Sequence, residues 1–111
     1  VAREDLKAPD IAFFLTLDDP TFRTYFSGSP VKRIGRDRFV RNVLIAAGNS
    51  GSVDLAPACQ ALLSDASADV RGMAAWALSR LLPGDDFMRL RAEHMPGETD
   101  ETVRQEWMTG S

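Results

Sequence analysis

The 111 residues of this chain predict an all-α domain of five to seven short helices. Apolar residues recur at the three- and four-residue spacing of an amphipathic helix, and strand-like alternation and Asn-Gly or Asp-Gly hairpin turns are absent. Two segments also align with an offset of 30 residues, which is typical of stacked helix pairs. The content of 44% apolar and 26% charged residues is that of an ordinary globular domain.

Proline and glycine breaks divide the pattern into successive helices. Asp18 and Asp19 supply an N-cap carboxylate and Pro20 a first-turn proline for the second helix. Ser67 or Asp69 caps the fifth helix, and the last two helices have the weakest pattern. The predicted helices cover residues 9–17, 21–26, 36–47, 55–64, 67–82, 86–94 and 100–108.

The length of the chain supports one domain. We expect residues 1–8 to form a linker, residues 9–82 a repeat core, and residues 83–111 an acidic C-terminal extension that solvates the far end. No apolar run approaches the roughly 20 residues that cross a bilayer, and the N-terminus lacks the apolar core of a secretory signal. We therefore expect a cytoplasmic protein without membrane contact.

Residues 31–41 carry five cationic side chains and one acid, although the whole chain has a net charge of −3. Such an island of positive charge attracts a polyanion, and arginine adds bidentate binding of phosphate. Two of the cations precede the third helix and Arg36 lies in its first turn. Arg38 and Arg41 share one arc of the helix with two asparagines that could bind sugar or base edges. The predicted nucleic-acid-binding residues are Lys32, Arg33, Arg36, Arg38, Arg41, Asn42 and Asn49.

A structural role is also open for Arg41. Its equivalent after an offset of 30 residues is Arg71, which we expect to pair with Asp65 or Asp69 in the preceding turn.

The sequence contains no motif of a self-contained enzyme, such as a Gly-rich phosphate loop, a nucleophile elbow or paired metal ligands. Cys59 is the only cysteine and lies at helical spacing with Leu55 and Leu62, so we predict a buried apolar residue. His94 is the only histidine and is predicted at a helix end.

The internal repeat indicates an α-solenoid. Residues 40–47 align with residues 70–77, and Val, Arg and the final Ala are identical in both. The segment 55–81, LAPACQALLSDASADVRGMAAWALSRL, resembles one unit of a HEAT-like repeat. Such repeats serve many partners, so this resemblance implies a fold rather than a function.

A second resemblance is more particular. The run SPVKRIGRDRFVRN…GNSG, with LDDPTFRTYFSGSP before it and VRGMAAWAL after it, resembles the C-terminal part of bacterial epoxyqueuosine reductases over residues 9–82. These enzymes complete the queuosine modification of the tRNA wobble base. The resemblance implies that the chain binds the tRNA anticodon stem-loop and positions it for the catalytic domain of the same polypeptide.

The resemblance also implies cobalamin and two 4Fe-4S clusters in the upstream part of a complete family member. The Cys-x-x-Cys-x-x-Cys runs that hold such clusters are missing here, so we expect no cofactor in this chain. Together with the first residue, Val1, this predicts an excerpt of a longer enzyme.

A function of another class is a HEAT-like scaffold for protein–protein interaction. We would then expect exposed apolar side chains at Phe13, Ile45, Trp76 and Trp107. The two functions differ in their salt response, because each phosphate contact makes log affinity fall with log salt.

Overall fold

The computed structural model describes residues 8–109, all of whose regular elements are helical, which confirms the all-α class. The chain forms seven α-helices within this range. They are α1 (Ala8–Leu15), α2 (Asp19–Tyr25), α3 (Arg36–Asn49), α4 (Ala56–Ala61), α5 (Ala68–Leu81), α6 (Gly84–His94) and α7 (Glu101–Thr109). Short 3-10 turns occur at Pro30–Ile34, Val53–Leu55, Leu62–Ser64 and Met95–Gly97.

The helix starts follow the predicted capping residues. The Asp18 carboxylate accepts a hydrogen bond of 2.9 Å from the Thr21 amide at the start of α2. Ser67, and not Asp69, caps α5, because its Oγ accepts from the Val70 amide at 3.3 Å. Helix α4 is shorter than the predicted range 55–64, because 3-10 turns form the two ends of that range.

Three helix pairs stack in chain order. Helices α3, α5 and α7 pack side by side with α5 in the middle. Helix α1 packs on α3, α4 on α5, and α6 contacts α5 less extensively. This arrangement is the stack of repeated helix pairs that the 30-residue offset predicts.

Small side chains let the central helix approach both of its neighbours closely. Ala74, Ala75 and Ala77 on α5 have no solvent exposure. On α3, a Cβ at Gly48 would overlap the Trp76 ring, so only glycine fits this contact without displacement. The packing of α5 therefore depends on the lack of bulk at these positions.

Buried side chains from both sides of residue 83 belong to one core. Phe87, Val103 and Trp107 are buried in the same core cluster as Ile11 near the other end of the chain. Helices α6 and α7, which meet through Phe87 and Trp107, thus form a third helix pair on the same core. Of the predicted linker, residues 1–7 lie outside the described residues, and Ala8 already begins α1.

Two sequence predictions about individual side chains have different outcomes. Cys59 is fully buried, and burial raises the pKa of its thiol to about 12, which confirms an unreactive core residue. For the scaffold function an exposed Trp107 is expected, and this is wrong, because the side chain is buried. It is 1% exposed and packs against Phe87 with ring centroids 5.3 Å apart. In residues 8–109, no helix is long and apolar enough to cross a membrane.

Close packing of α5 predicts that added volume there destabilises the domain. Replacing Ala74 by leucine should lower the free energy of unfolding by about 1–3 kcal/mol, because the core has no room for the larger side chain. Urea unfolding followed by circular dichroism measures this change. The matched control is Ala92→Leu at an exposed position of α6, which should change the free energy of unfolding by less than about 0.5 kcal/mol. Equal effects of the two substitutions would contradict the packing argument.

Candidate nucleic-acid interface

Two of the predicted cations lie on the turn that precedes α3. Lys32 and Arg33 are exposed on the 3-10 turn Pro30–Ile34, where the Ser29 Oγ accepts a hydrogen bond of 3.2 Å from the Val31 amide. Both side chains line a shallow depression together with residues 28–30. The turn therefore presents two neighbouring positive charges to solvent.

Two further cations lie on α3. Arg38 is exposed and Arg41 half-buried, and both line a groove of about 770 Å³ at the N-terminal end of the helix. Arg41 donates from Nη1 to Oδ1 of the neighbouring Asn42 at 3.3 Å. The same groove is also lined by Asp19, Asp37 and Asp69, so its electrostatic field is mixed. Within residues 8–109, none of the four cations Lys32, Arg33, Arg38 and Arg41 has a carboxylate at salt-bridge distance.

Arg36 has a different position from the other cations. Its Nη2 lies 2.8 Å and its Nη1 3.0 Å from the two carboxylate oxygens of Asp65, and Nη1 also donates to Asp37 at 3.0 Å. Its Nε donates to the Leu17 carbonyl at 2.8 Å, and the side chain is only 13% exposed. The hydrogen bond to Asp65, opposed by burial, raises the pKa of Arg36. Arg36 therefore joins three parts of the chain, and we remove it from the candidate interface.

Asp65 is the centre of this contact. Burial opposes ionisation of the Asp65 carboxyl. Its effect is outweighed by hydrogen bonds from Arg36 and the Ser67 amide and by the positive charges of Arg36 and Arg71. The net effect lowers the pKa of Asp65.

Arg71 does have a structural role, but with a partner that the sequence analysis missed. Its Nε and Nη2 lie 2.9 Å from the two carboxylate oxygens of Glu98, and its Nη1 donates to the backbone carbonyl of Asp65 at 2.9 Å. The carboxylates of Asp65 and Asp69 were the expected partners. The hydrogen bond from Arg71 lowers the pKa of Glu98. Glu98 belongs to the next helix pair, so only the tertiary structure could reveal it.

Arg41 differs from its repeat equivalent Arg71. No described carboxylate pairs with Arg41, whereas Arg71 forms a bidentate ion pair with Glu98. The structural role considered for Arg41 therefore has no ion-pair partner in the described part of the chain. Arg41 stays a candidate for ligand contact.

The two asparagines extend the candidate surface along α3. Asn42 and Asn49 are both exposed, and Asn49 ends the helix roughly 16 Å from Arg38 at 1.5 Å per residue. Beside that end, Trp76 is half-buried against Gly48, and the guanidinium carbon of Arg80 lies 5.7 Å from the Trp76 ring centroid. The sequence analysis did not consider Arg80, although its spacing of four residues from Trp76 on a helix favours this contact.

Comparison with known proteins identifies relatives over most of the chain. It is 35% identical over 80 residues to the epoxyqueuosine reductase of Xanthomonas campestris pv. campestris, covering 71% of this chain and 22% of that protein. The corresponding enzyme of Alicycliphilus denitrificans is 35% identical over 89 residues (71% and 24%), and that of Shewanella oneidensis 33% over 86 residues (75% and 22%). The chain is homologous to a part of epoxyqueuosine reductases. It spans less than a quarter of the length of these relatives. No protein-family profile and no solved structure matches it.

The residues present do not fit the iron-sulfur clusters that the resemblance to epoxyqueuosine reductases implies. Such a cluster is held by four cysteine thiolates, whereas the present chain has one cysteine. That cysteine, Cys59, is buried, and its raised pKa favours the thiol form. The described residues also contain no group of three or more His, Cys, Asp or Glu side chains that could hold a metal ion.

The carboxylate contacts predict how stability depends on pH. Since the pKa of Asp65 is lowered in the folded state, its contribution is present above the ordinary value of 3.8 and is lost as the pH falls through the folded pKa. We expect Asp65→Asn to lower the free energy of unfolding at pH 7 by about 1.5–3 kcal/mol, the range for charged hydrogen bonds. This difference from the original chain should shrink below pH 3.8.

Denaturant unfolding at a series of pH values measures the effect. The matched control is Asp86→Asn, because Asp86 pairs with Arg89 at an exposed position of α6. This control should change the free energy of unfolding at pH 7 by less than about 0.5 kcal/mol. A difference between Asp65→Asn and the original chain that stays constant down to pH 2 would contradict the assigned contact.

Proposed function

We propose that this chain is the tRNA-binding domain of an epoxyqueuosine reductase, corresponding to its C-terminal part. It positions the anticodon stem-loop so that the catalytic domain of the same polypeptide can reduce epoxyqueuosine to queuosine. Cobalamin and the two 4Fe-4S clusters belong to that catalytic domain, and the present chain supplies binding and orientation.

The observation that carries this proposal is that four cations without a described carboxylate partner are grouped in residues 32–41. Arg36 and Arg71 are paired with carboxylates inside the fold, and the exposed Arg23 and Arg89 each have a carboxylate neighbour on their own helix. Lys32, Arg33, Arg38 and Arg41 have none among the described residues, although they follow one another within ten residues of the chain. Neighbouring cations without counter-charges repel each other, and a bound phosphate backbone removes that cost.

The position of the four cations also suits a nucleic-acid backbone. They continue from the turn Pro30–Ile34 into the N-terminal half of α3, where the helix dipole adds positive potential. Arg36 lies between the two groups and fixes the start of α3 to Asp65 and the Leu17 carbonyl. The cations are therefore held on a rigid support, which reduces the entropy lost on binding.

Another proposal is that the domain also contacts protein, as expected of a HEAT-like scaffold. Exposed apolar side chains favour it, namely Phe13 at 44% exposure, Met88 at 40% and Met108 at 50%. Of the other residues expected for this role, Ile45 and Trp76 are half-buried and Trp107 lies in the core. The catalytic domain of the same polypeptide is the partner that the resemblance implies, and both roles are compatible.

Charge removal tests the RNA-binding proposal. We expect Lys32→Ala and Arg38→Ala each to weaken binding of an unmodified tRNA anticodon stem-loop by about 0.5–1.5 kcal/mol, because each loses a charged contact to phosphate. The double variant should also reduce the slope of log affinity against log salt, by about 0.7–0.9 for each phosphate contact that is lost. Fluorescence anisotropy at several salt concentrations measures both quantities.

Arg89→Ala is the matched control, because it removes the same charge from an exposed position on α6. It should leave the affinity nearly unchanged. Unaltered binding by the double variant, or an equal loss in Arg89→Ala, would overturn the assignment of the interface.

A further inference from the structure

Aromatic side chains from α1, α2 and the first turns of α3 form one continuous group, here termed the aromatic end cluster. Neighbouring ring centroids in this cluster lie 4.9–6.1 Å apart, in tilted or edge-to-face orientations. Its members are Phe13, Phe14, Phe22, Tyr25, Phe26 and Phe39.

Two rings of the aromatic end cluster are exposed, and both pack against other rings of the cluster. Phe13 is 44% and Tyr25 54% exposed, and their ring centroids lie 5.3 Å apart. Phe14 packs against both, at 5.6 Å from Phe13 and 5.9 Å from Tyr25. The exposed pair is thus held in place by packing, while each ring keeps a large part of its surface open to solvent.

The turn that carries Lys32 and Arg33, which have no carboxylate partner among residues 8–109, begins shortly after Tyr25 at the end of α2. The Ser29 amide donates to the Phe26 carbonyl at 2.9 Å, and the Lys32 amide donates to the Ser29 carbonyl at 3.1 Å. These bonds hold the turn that carries Lys32 and Arg33 against the C-terminal end of α2, where Tyr25 is the last helical residue. Exposed aromatic rings and positive charges without described carboxylate partners therefore occur together at this end of the domain.

We propose that the aromatic end cluster is a stacking platform for unpaired RNA bases, whose phosphates are bound by Lys32 and Arg33. Bases that are not paired stack on aromatic side chains while cations follow the backbone, and this combination is typical of single-stranded nucleic-acid binding. A purely apolar protein surface would cover the rings but leave both cations without counter-charge, so charge complementarity favours nucleic acid. This inference rests on the RNA-binding function proposed above and assigns the unpaired part of that RNA to one surface.

The test compares two RNA probes with equal numbers of phosphates, a hairpin with an unpaired loop and a blunt duplex. We expect the double variant Phe13→Leu, Tyr25→Leu to weaken hairpin binding at least about fivefold and to change duplex binding by less than about twofold. Leucine keeps apolar contact with the rings below but has no aromatic face. Tyr25→Phe should bind the hairpin as the original chain does, and Lys32→Ala, Arg33→Ala should weaken both probes.

Thermal unfolding of each variant, followed by circular dichroism, confirms that the fold is kept. Hairpin binding that the double leucine variant leaves unchanged would overturn the stacking platform while leaving the RNA-binding function in place, and the surface would then fit a protein partner. If the original chain bound neither the hairpin nor the duplex, the proposed function and this inference would both be overturned. Equal losses for hairpin and duplex in the double leucine variant would also overturn the assignment to unpaired bases.

Discussion

The close approach of α5 to its neighbours is the constraint on which the rest of this domain depends. Helices can lie side by side at short distance only where no bulky side chain separates them, and Ala74, Ala75 and Ala77 on α5 meet this condition. Gly48 on α3 likewise has no side chain, which leaves room for the Trp76 ring of α5. Because α5 contacts both α3 and α7, its small residues place three helix pairs in one stack with a continuous core.

This stacking brings the loops before the second helix of each pair to one edge, where arginines connect them. Arg36 at the start of α3 binds Asp65 before α5, and Arg71 on α5 binds Glu98 before α7. The Asp65 carbonyl accepts from Arg71, so the two contacts share one residue. Such partly buried ion pairs add directional contacts to the non-directional apolar packing, and they fix how successive pairs are oriented.

The same edge explains why only some cations of the basic segment are suited to a ligand. Arg36 faces inward and is paired, whereas Arg38, two residues further along α3, is exposed and has no described carboxylate partner. Arginines that are paired inside the fold and arginines without a described carboxylate partner are therefore interleaved within a few residues. Most of the aromatic end cluster precedes this segment in the chain, so aromatic rings and cations without described carboxylate partners occur close together in sequence. The third pair instead buries its large rings, Phe87 and Trp107.

The sequence by itself determined the all-α class, the helix positions within a few residues and the burial of Cys59, because periodicity acts over a few neighbouring residues. It narrowed the caps to Asp18 or Asp19 and to Ser67 or Asp69, and the structure selected Asp18 and Ser67. It also located the basic segment, since charge is a property of composition. Only the tertiary structure decided that Arg36 is internal, that Glu98 is the partner of Arg71, and that Trp107 belongs to the core. Each of these three contacts involves a residue 20 or more positions away in the chain. A helical pattern predicts the face on which a side chain lies but not the group that it contacts there.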